Sequence, residues 1–155
     1  GSALGTPAFM SPEQASGAHD QVGPFSDVYS LGATLYYLLT GQAPFTEKTT
    51  AAILESVKRG KFPRPREVQA SVPAALDAIC VKAMALSAQD RYPTVAELIE
   101  DVERWIADEP VSAHAETRSE RLARWMRRHR TGVQAAAAIL LSAALISSAA
   151  APRSP

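Results

Sequence analysis

The most concentrated source of chemistry in the sequence is a run of arginines between residues 118 and 130. Six guanidinium groups lie within these 13 residues: Arg118, Arg121, Arg124, Arg127, Arg128 and Arg130. Guanidinium groups at this density bind phosphates, in a nucleic acid or in anionic lipid headgroups. Trp125 lies inside the run, but no aromatic platform or nucleic-acid-reading motif accompanies it. We therefore expect no nucleic-acid partner.

Other reactive side chains are few. Cys80 is the single cysteine, so no internal disulfide forms, and we interpret it as a small buried residue on a helix rather than a reactive thiol. The three histidines, His19, His114 and His129, lack the spacing of zinc ligands. The sequence therefore predicts no metal site.

Charge divides the chain into three blocks. The 16 basic and 16 acidic residues of the 155-residue sequence cancel, but nine basic and fifteen acidic residues give 1–117 a net charge of −6. The arginine-rich block 118–130 carries +5, and 131–155 carries +1, from Arg153. A hydrophobic content of 46% excludes a wholly disordered chain. Each block therefore needs its own interpretation.

The uncharged block predicts a membrane anchor. Residues 133–151 are 19 consecutive Ala, Ile, Leu, Val and Ser residues with one Gln. About 20 apolar residues cross a bilayer as a helix, and arginines beside a span stay in the cytoplasm. We predict a juxtamembrane segment at 109–130, a single transmembrane helix at 131–152 and a tail at 153–155. The protein would then lie in the cell membrane with residues 1–130 cytoplasmic. The alternative is an Ala-rich buried or surface helix.

Capping residues and apolar spacing predict five helices and no strand in residues 1–117. The first follows Ser11 and ends at Gly17, and the second starts at Ser26 or Asp27 and ends at Gly41. The others are a helix from Thr46 or Thr50 to Gly60, a helix over Pro73–Met84 and a helix from Thr94 to Ile106. The proline-containing stretch 61–73 is predicted to be a loop.

Two of the predicted helices have distinctive faces. The second carries Val28, Leu31, Leu35, Leu38 and Leu39 at helical spacing and is apolar around much of its circumference, which is typical of a central, buried helix. A further helix is predicted after Thr117, where Thr117-Arg-Ser-Glu120 forms a capping box. Its apolar residues, Leu122, Trp125 and Met126, share one face.

Four motifs, in order, resemble the end of a protein kinase catalytic domain. They are GTPAFMSPE at 5–13, SDVYSLG at 26–32, LTGQAPF at 39–45 and QDRY at 89–92. Together they make the chain similar to bacterial serine/threonine kinases of eukaryotic type over about residues 3–108. The resemblance implies a mainly α fold: an incomplete C-terminal, helical kinase lobe over 1–108, followed here by the predicted transmembrane helix.

The resemblance also assigns roles to individual residues. Glu13 and Arg91 would form the buried ion pair that holds the activation segment to the helical lobe. Without the order of the motifs, the two residues would be interpreted as solvated surface charges. Asp27 would accept hydrogen bonds from the catalytic loop, cap its helix, or do both. Gly5, Thr6 and Pro7 would form a loop beside the substrate. Thr6 would mark Ser/Thr specificity, unless it is simply a turn residue.

The residues that perform phosphoryl transfer in this family are not in the sequence. It contains no G-x-G-x-x-G loop, no H-R-D motif and no D-F-G motif. We therefore assign no catalytic, cofactor-binding or metal-binding residue to this chain and expect it to be inactive alone. ATP and Mg²⁺ would serve the full-length kinase, whose expected partners are protein substrates, the membrane and a second copy in a homodimer.

Three hypotheses account for this pattern. The first is a truncated part of a membrane-anchored serine/threonine kinase. The second is a pseudokinase that acts as a membrane-tethered scaffold or binding module, and the third is an unrelated helical adaptor with a membrane anchor. Under the first two, the segments that cover the central helix in the family are missing. We therefore expect exposed apolar surface around Leu31 and Leu35.

Overall fold

A computed structural model describes residues 6–129, and no strand occurs in this range. Short 3-10 turns lie at Pro7–Phe9, His19–Gln21 and Ala88–Asp90. The chain divides into two units, one ending at Ala115 and the other beginning at Glu116. The helices are α1 (Pro12–Ala15), α2 (Pro24–Thr40), α3 (Thr50–Arg59), α4 (Pro65–Val68), α5 (Ala74–Ala83), α6 (Val95–Ile106) and α7 (Arg118–Arg128).

Side-chain caps begin several of these helices. The Ser11, Thr49, Thr94 and Thr117 hydroxyls each accept a hydrogen bond from a backbone N–H of the first turn. Such bonds satisfy N–H groups that have no partner within the helix. For α3 the capping residue is Thr49, so that helix begins at Thr50 rather than Thr46.

Helix α2 starts earlier than the sequence predicted, and α4 was not predicted as a helix. A proline explains both differences. α2 begins at Pro24, and α4 begins at Pro65 inside the predicted loop 61–73. A proline at the first helical position has no N–H to leave unsatisfied, and its φ angle already suits a helix. In α4 the Glu67 carboxylate also accepts a hydrogen bond from the Arg64 N–H, at 2.8 Å, which stabilises the short turn.

The core forms where α2 packs against α5 and α6. Tyr29, Ala33 and Tyr36 on α2 are fully buried. At Gly32, α2 approaches α5 so closely that a Cβ atom added to the glycine would lie 2.7 Å from the Cβ of Ala83. Glycine is otherwise unfavourable within a helix, so this contact explains its position in the middle of α2.

The leucine face of α2 is only partly covered. Leu31 is 42% exposed and Leu38 is 74% exposed, whereas Leu35 packs against the core. Together with α6 this face lines an apolar groove of about 230 Å³, whose walls include Leu98 and Val102. Apolar surface is therefore exposed at Leu31, as the sequence predicted, and α2 is a central helix with one open face.

The fold is mainly α, as predicted, but the predicted fold class as a whole, a helical lobe followed by a single transmembrane helix, is wrong. Within residues 6–129 no helix is long and apolar enough to cross a membrane. The longest of them, α2, has 17 residues. The predicted span at 131–152 and the tail at 153–155 lie outside the described residues. The stretch that suggested the span is rich in alanine. The single methyl group of an alanine removes little apolar surface from water when it is buried. The predicted membrane location stays a prediction.

Candidate functional site

The centre of the site is an ion pair between Arg91 and Glu13. Two parallel bonds join the side chains, from Arg91 Nη1 to Glu13 Oε1 at 2.8 Å and from Arg91 Nη2 to Glu13 Oε2 at 3.0 Å. The Arg91 side chain is 0% exposed and the Glu13 side chain 9%. A paired, bidentate geometry of this kind is the strongest form of hydrogen-bonded charge contact. The two residues are therefore buried partners rather than solvated surface charges.

Arg91 has no N–H group left unused. Its Nε donates to the Ala85 carbonyl at 2.8 Å, Nη1 also donates to the Phe25 carbonyl at 2.9 Å, and Nη2 also donates to the Leu86 carbonyl at 3.1 Å. With the two bonds to Glu13, these occupy all five guanidinium donors. The guanidinium carbon also lies 4.9 Å from the centre of the Tyr29 ring. Arg91 thus connects the turn after α5, the start of α2 and the segment containing α1.

Glu13 is positioned by α1. The Ser11 hydroxyl and the Gln14 side chain cap this short helix reciprocally, which places Glu13 in its first turn. The Ser26 hydroxyl donates a further bond to Glu13 Oε1 at 2.7 Å. Burial by itself raises the pKa of the Glu13 carboxyl, but the hydrogen bonds from Arg91 and Ser26 outweigh it and lower the pKa to about 2. Glu13 is therefore ionised at neutral pH.

The segment before α1 is attached to α2. In the turn Pro7–Phe9, the Phe9 N–H donates to the Thr6 carbonyl at 3.0 Å. The Ser30 hydroxyl donates to the Phe9 carbonyl at 3.0 Å, and the Phe9 ring meets the Tyr37 ring edge-on at 6.3 Å. Thr6 itself is exposed. The Thr6 carbonyl is thus hydrogen-bonded within the turn, while the residue is exposed to solvent.

The remaining predicted site residues lie apart from the ion pair. Asp27 is exposed in the first turn of α2, where the N-terminal end of the helix favours a negative charge. It does not cap the helix, because the N-cap is Gly23. Pro7 lies in the turn described above, and Gly5 lies outside the described residues.

Sequence reasoning missed a second buried carboxylate, Asp101 on α6. It is 2% exposed and accepts hydrogen bonds from the Tyr92 hydroxyl at 2.8 Å, the Ser112 N–H at 2.7 Å, the Ser112 hydroxyl at 2.8 Å and the Ala113 N–H at 3.0 Å. These bonds tie residues 112 and 113 to the helical lobe. The signal was available: Asp101 is three residues after Leu98, on the buried face of the helix.

A third carboxylate, Asp77, anchors α4. Asp77 Oδ2 accepts bonds from Arg64 Nε at 3.0 Å and Arg64 Nη2 at 2.6 Å, and Asp77 Oδ1 accepts one from the Arg66 N–H at 3.0 Å. The contact holds the short helix against α5. It explains how a stretch with three prolines keeps a defined conformation.

Neither the thiol nor the acidic residues provide a reactive or metal-binding site in residues 6–129. Cys80 is buried, and burial raises the pKa of its thiol to about 12, so the reactive thiolate does not form at neutral pH. In the same range, no group of three or more His, Cys, Asp or Glu side chains could hold a metal ion.

Comparison with known proteins identifies the family. The family model for the protein kinase domain matches residues 1–114. The chain belongs to the protein kinase domain family. The matched residues include helices α1 to α6 and the contact between Glu13 and Arg91.

Curated bacterial kinases are similar to the same part of the chain. The serine/threonine-protein kinase PknB of Mycobacterium tuberculosis is 40% identical over 111 residues, which are 71% of this chain and 17% of that protein. PknB of Mycolicibacterium smegmatis is 41% identical over 102 residues, 65% of this chain and 16% of that protein. The tyrosine-protein kinase MasK of Myxococcus xanthus is 36% identical over 100 residues, 64% of this chain and 15% of that protein. The matches thus span about a sixth of the length of these relatives.

Proposed function

We propose that this chain is the substrate-side part of the catalytic domain of a serine/threonine protein kinase, which transfers the γ-phosphoryl group of ATP to Ser and Thr hydroxyls of proteins. The observation that carries the proposal is the bidentate contact between Glu13 and Arg91. It joins the first and last of the four kinase-like motifs, which are 78 positions apart. That contact gives a physical role to both motifs at once.

In this proposal the chain presents the protein substrate and does not bind the nucleotide. The ion pair and the Ser30 bond to Phe9 hold residues 6–13 against α2, so this segment forms a fixed surface beside the acceptor hydroxyl. Residues of this chain do not fit ATP or Mg²⁺, because the sequence has none of the nucleotide motifs and residues 6–129 contain no metal-binding cluster. ATP and Mg²⁺ would be bound by the rest of a complete kinase domain, and this chain alone would be inactive.

Specificity for Ser and Thr is a separate part of the proposal. The names of the relatives include both serine/threonine and tyrosine kinases. Support for Ser/Thr comes from Thr6, which is exposed and which the resemblance to the kinase motif would direct toward the catalytic aspartate. Phosphoamino-acid analysis of a phosphorylated acceptor separates the two specificities.

The test compares two proteins incubated with Mg-ATP and a basic acceptor protein. One is the 155-residue chain, and the other is the same chain extended by the coding sequence that adjoins it upstream. We expect phosphoserine and phosphothreonine with the extended protein and background incorporation with the chain alone. Phosphate transfer by the chain alone would contradict its assigned role. Phosphotyrosine as the main product would contradict the Ser/Thr specificity.

A matched pair of variants connects the activity to the ion pair. Arg91→Lys in the extended protein keeps the charge but provides three donors instead of five. We expect about a tenfold loss of activity, equivalent to about 1.4 kcal/mol. The control is Arg104→Lys, because Arg104 pairs with Glu100 on the exposed face of α6. Equal activity of the two variants would show that the ion pair between Glu13 and Arg91 is not needed for activity.

A further inference from the structure

Helix α7 is a defined element within the arginine-rich segment. The Thr117 hydroxyl accepts a hydrogen bond from the Glu120 N–H at 3.2 Å, and the Glu120 carboxylate accepts one from the Thr117 N–H at 2.8 Å. This reciprocal cap fixes the start of the helix. With 11 residues, α7 is about 16 Å long, at 1.5 Å per residue.

One face of α7 is apolar and exposed. Leu122 is 58% exposed, Trp125 is 53% exposed and Met126 is 45% exposed. Their spacing of three and four residues places them side by side. His129, one turn after Trp125, stacks on the indole ring with a centroid distance of 4.8 Å. A large aromatic surface and two flexible apolar side chains therefore face outwards together.

The opposite face of α7 is basic. At 100° per residue, Arg124, Arg127 and Arg128 lie on the side away from Leu122, Arg121 lies at the edge of the apolar face next to Trp125, and Arg118 lies on that face. Arg124 forms a bidentate pair with Glu116, at 2.9 and 2.6 Å, which orients the chain as it enters the helix. Five arginines and one glutamate give residues 118–128 a net charge of +4. Most of the positive charge thus lies opposite or at the edge of the apolar face of a short helix.

We propose that α7 lies flat on the surface of an anionic bilayer. A nucleic acid would contact the basic face and leave Leu122, Trp125 and Met126 in water. A bilayer accommodates both kinds of group at once: the apolar side chains enter the boundary between headgroups and acyl chains, and guanidinium groups at the edge of the apolar face, such as that of Arg121, reach the phosphates. A tryptophan ring is well suited to that boundary. The net charge of α7 is complementary to anionic headgroups.

This contact requires no helix that crosses the membrane and does not depend on kinase activity. It gives the segment after the helical lobe a location at a charged lipid surface. The binding strength would depend on the fraction of anionic lipid and on ionic strength, since exposed charges are screened by salt.

The test uses the full 155-residue chain with Trp105→Phe, which leaves Trp125 as the single tryptophan. Its emission is recorded as vesicles of phosphatidylcholine, or of phosphatidylcholine and phosphatidylglycerol in equal parts, are added. We expect a blue shift of Trp125 emission, binding about tenfold or more tighter to the anionic vesicles, and loss of that preference at high salt.

Three variants in the same background assign the binding to α7. Arg121→Glu should weaken binding to anionic vesicles at least about fivefold, whereas Arg121→Lys, which keeps the charge, should bind like the parent. Leu122→Gln should reduce the blue shift while retaining the salt dependence. All three keep residues 130–155, so any difference among them belongs to α7. Circular dichroism checks that helix content is unchanged.

Several results would overturn the proposal. Equal binding to neutral and anionic vesicles would remove the electrostatic contribution, and equal binding of Arg121→Glu and Arg121→Lys would place the contact elsewhere. An unshifted Trp125 emission in the presence of bound vesicles would show that the apolar face stays in water. A DNA duplex that displaces the chain from vesicles and quenches Trp125 would identify a nucleic-acid surface instead.

Discussion

Two buried carboxylates hold segments against the helical lobe, and they are stabilised in different ways. Glu13 faces a guanidinium group that carries a full positive charge. Asp101 accepts four hydrogen bonds from two hydroxyls and two backbone N–H groups. The Glu13 contact joins residues 78 positions apart, whereas the partners of Asp101 are 9 to 12 positions away.

The difference shows how each segment can be released. Removal of Arg91 leaves the Glu13 carboxylate without a compensating charge, with the Ser26 hydroxyl as its remaining side-chain donor. Removal of one partner of Asp101 leaves the carboxylate with three donors, so the contact weakens in steps. Among the contacts of segment 6–13 the ion pair is therefore the one that carries charge compensation, whereas residues 112 and 113 are held by several neutral donors.

The largest expected effect comes from Arg91→Ala in the 155-residue chain. It leaves the Glu13 carboxylate buried without its guanidinium and removes three bonds to backbone carbonyls. We expect a loss of about 3–5 kcal/mol in the free energy of unfolding, measured by urea denaturation. The control is Arg104→Ala, whose exposed pair with Glu100 is worth about 0.5 kcal/mol or less. Similar losses for both variants would contradict the distinction between buried and exposed pairs.

Acid should break the Glu13 contact. Because folding lowers the pKa of Glu13 from 4.5 to about 2, the folded state gains stability above pH 4.5 and loses it as the pH falls toward 2. At about 1.4 kcal/mol per pKa unit the loss is at most about 3 kcal/mol, and solvent screening makes it smaller. Urea denaturation across this range should show the loss, and Glu13→Gln should flatten the curve. An unchanged slope in Glu13→Gln would contradict the assignment.

An intermediate effect is expected for Asp101→Asn. The amide retains one acceptor oxygen but brings an NH₂ group against donors, so we expect a loss of about 2 kcal/mol. The specific readout is hydrogen exchange, which should accelerate at the Ser112 and Ala113 amides. The control is Glu103→Gln on the exposed face of the same helix, which should leave both amides protected. Unchanged exchange in Asp101→Asn would show that the segment is held by other contacts.

The smallest effect is expected for Tyr92→Phe. It removes one of the four donors to Asp101 and retains the buried ring, so a loss of about 1 kcal/mol should follow. Tyr37→Phe, at an exposed ring, is the matched control. A loss as large as that of Arg91→Ala would show that Asp101 also depends on a single partner, and the comparison with Glu13 would fail.

Much of the fold could be predicted from the sequence because its signals are local. Ser11, Thr94 and Thr117 precede helices as their capping patterns indicated, and Gly41 and Gly60 end α2 and α3 with φ angles of 74° and 62°. Glycine adopts such left-handed angles without strain. These features depend on a few neighbouring residues and need no knowledge of tertiary contacts.

The features that were missed depend on tertiary contacts. The short helix α4 lies in a proline-containing stretch, and its contact with α5 through Asp77 is visible only in three dimensions. The spacing of the leucines also did not show that Tyr29, Gly32 and Tyr36, rather than Leu31 and Leu38, form the contact of α2 with the core. The importance of Asp101 follows from the return of residues 112 and 113 to α6. Periodicity alone does not show which partner covers a face.

The distance along the chain between Glu13 and Arg91 has a kinetic consequence. The pair closes a loop of 78 positions, and chain entropy opposes this closure until α2 and α5 have packed together. A contact that forms after the transition state contributes mainly to a slow unfolding rate. We therefore expect loss of the ion pair to speed unfolding more than it slows folding.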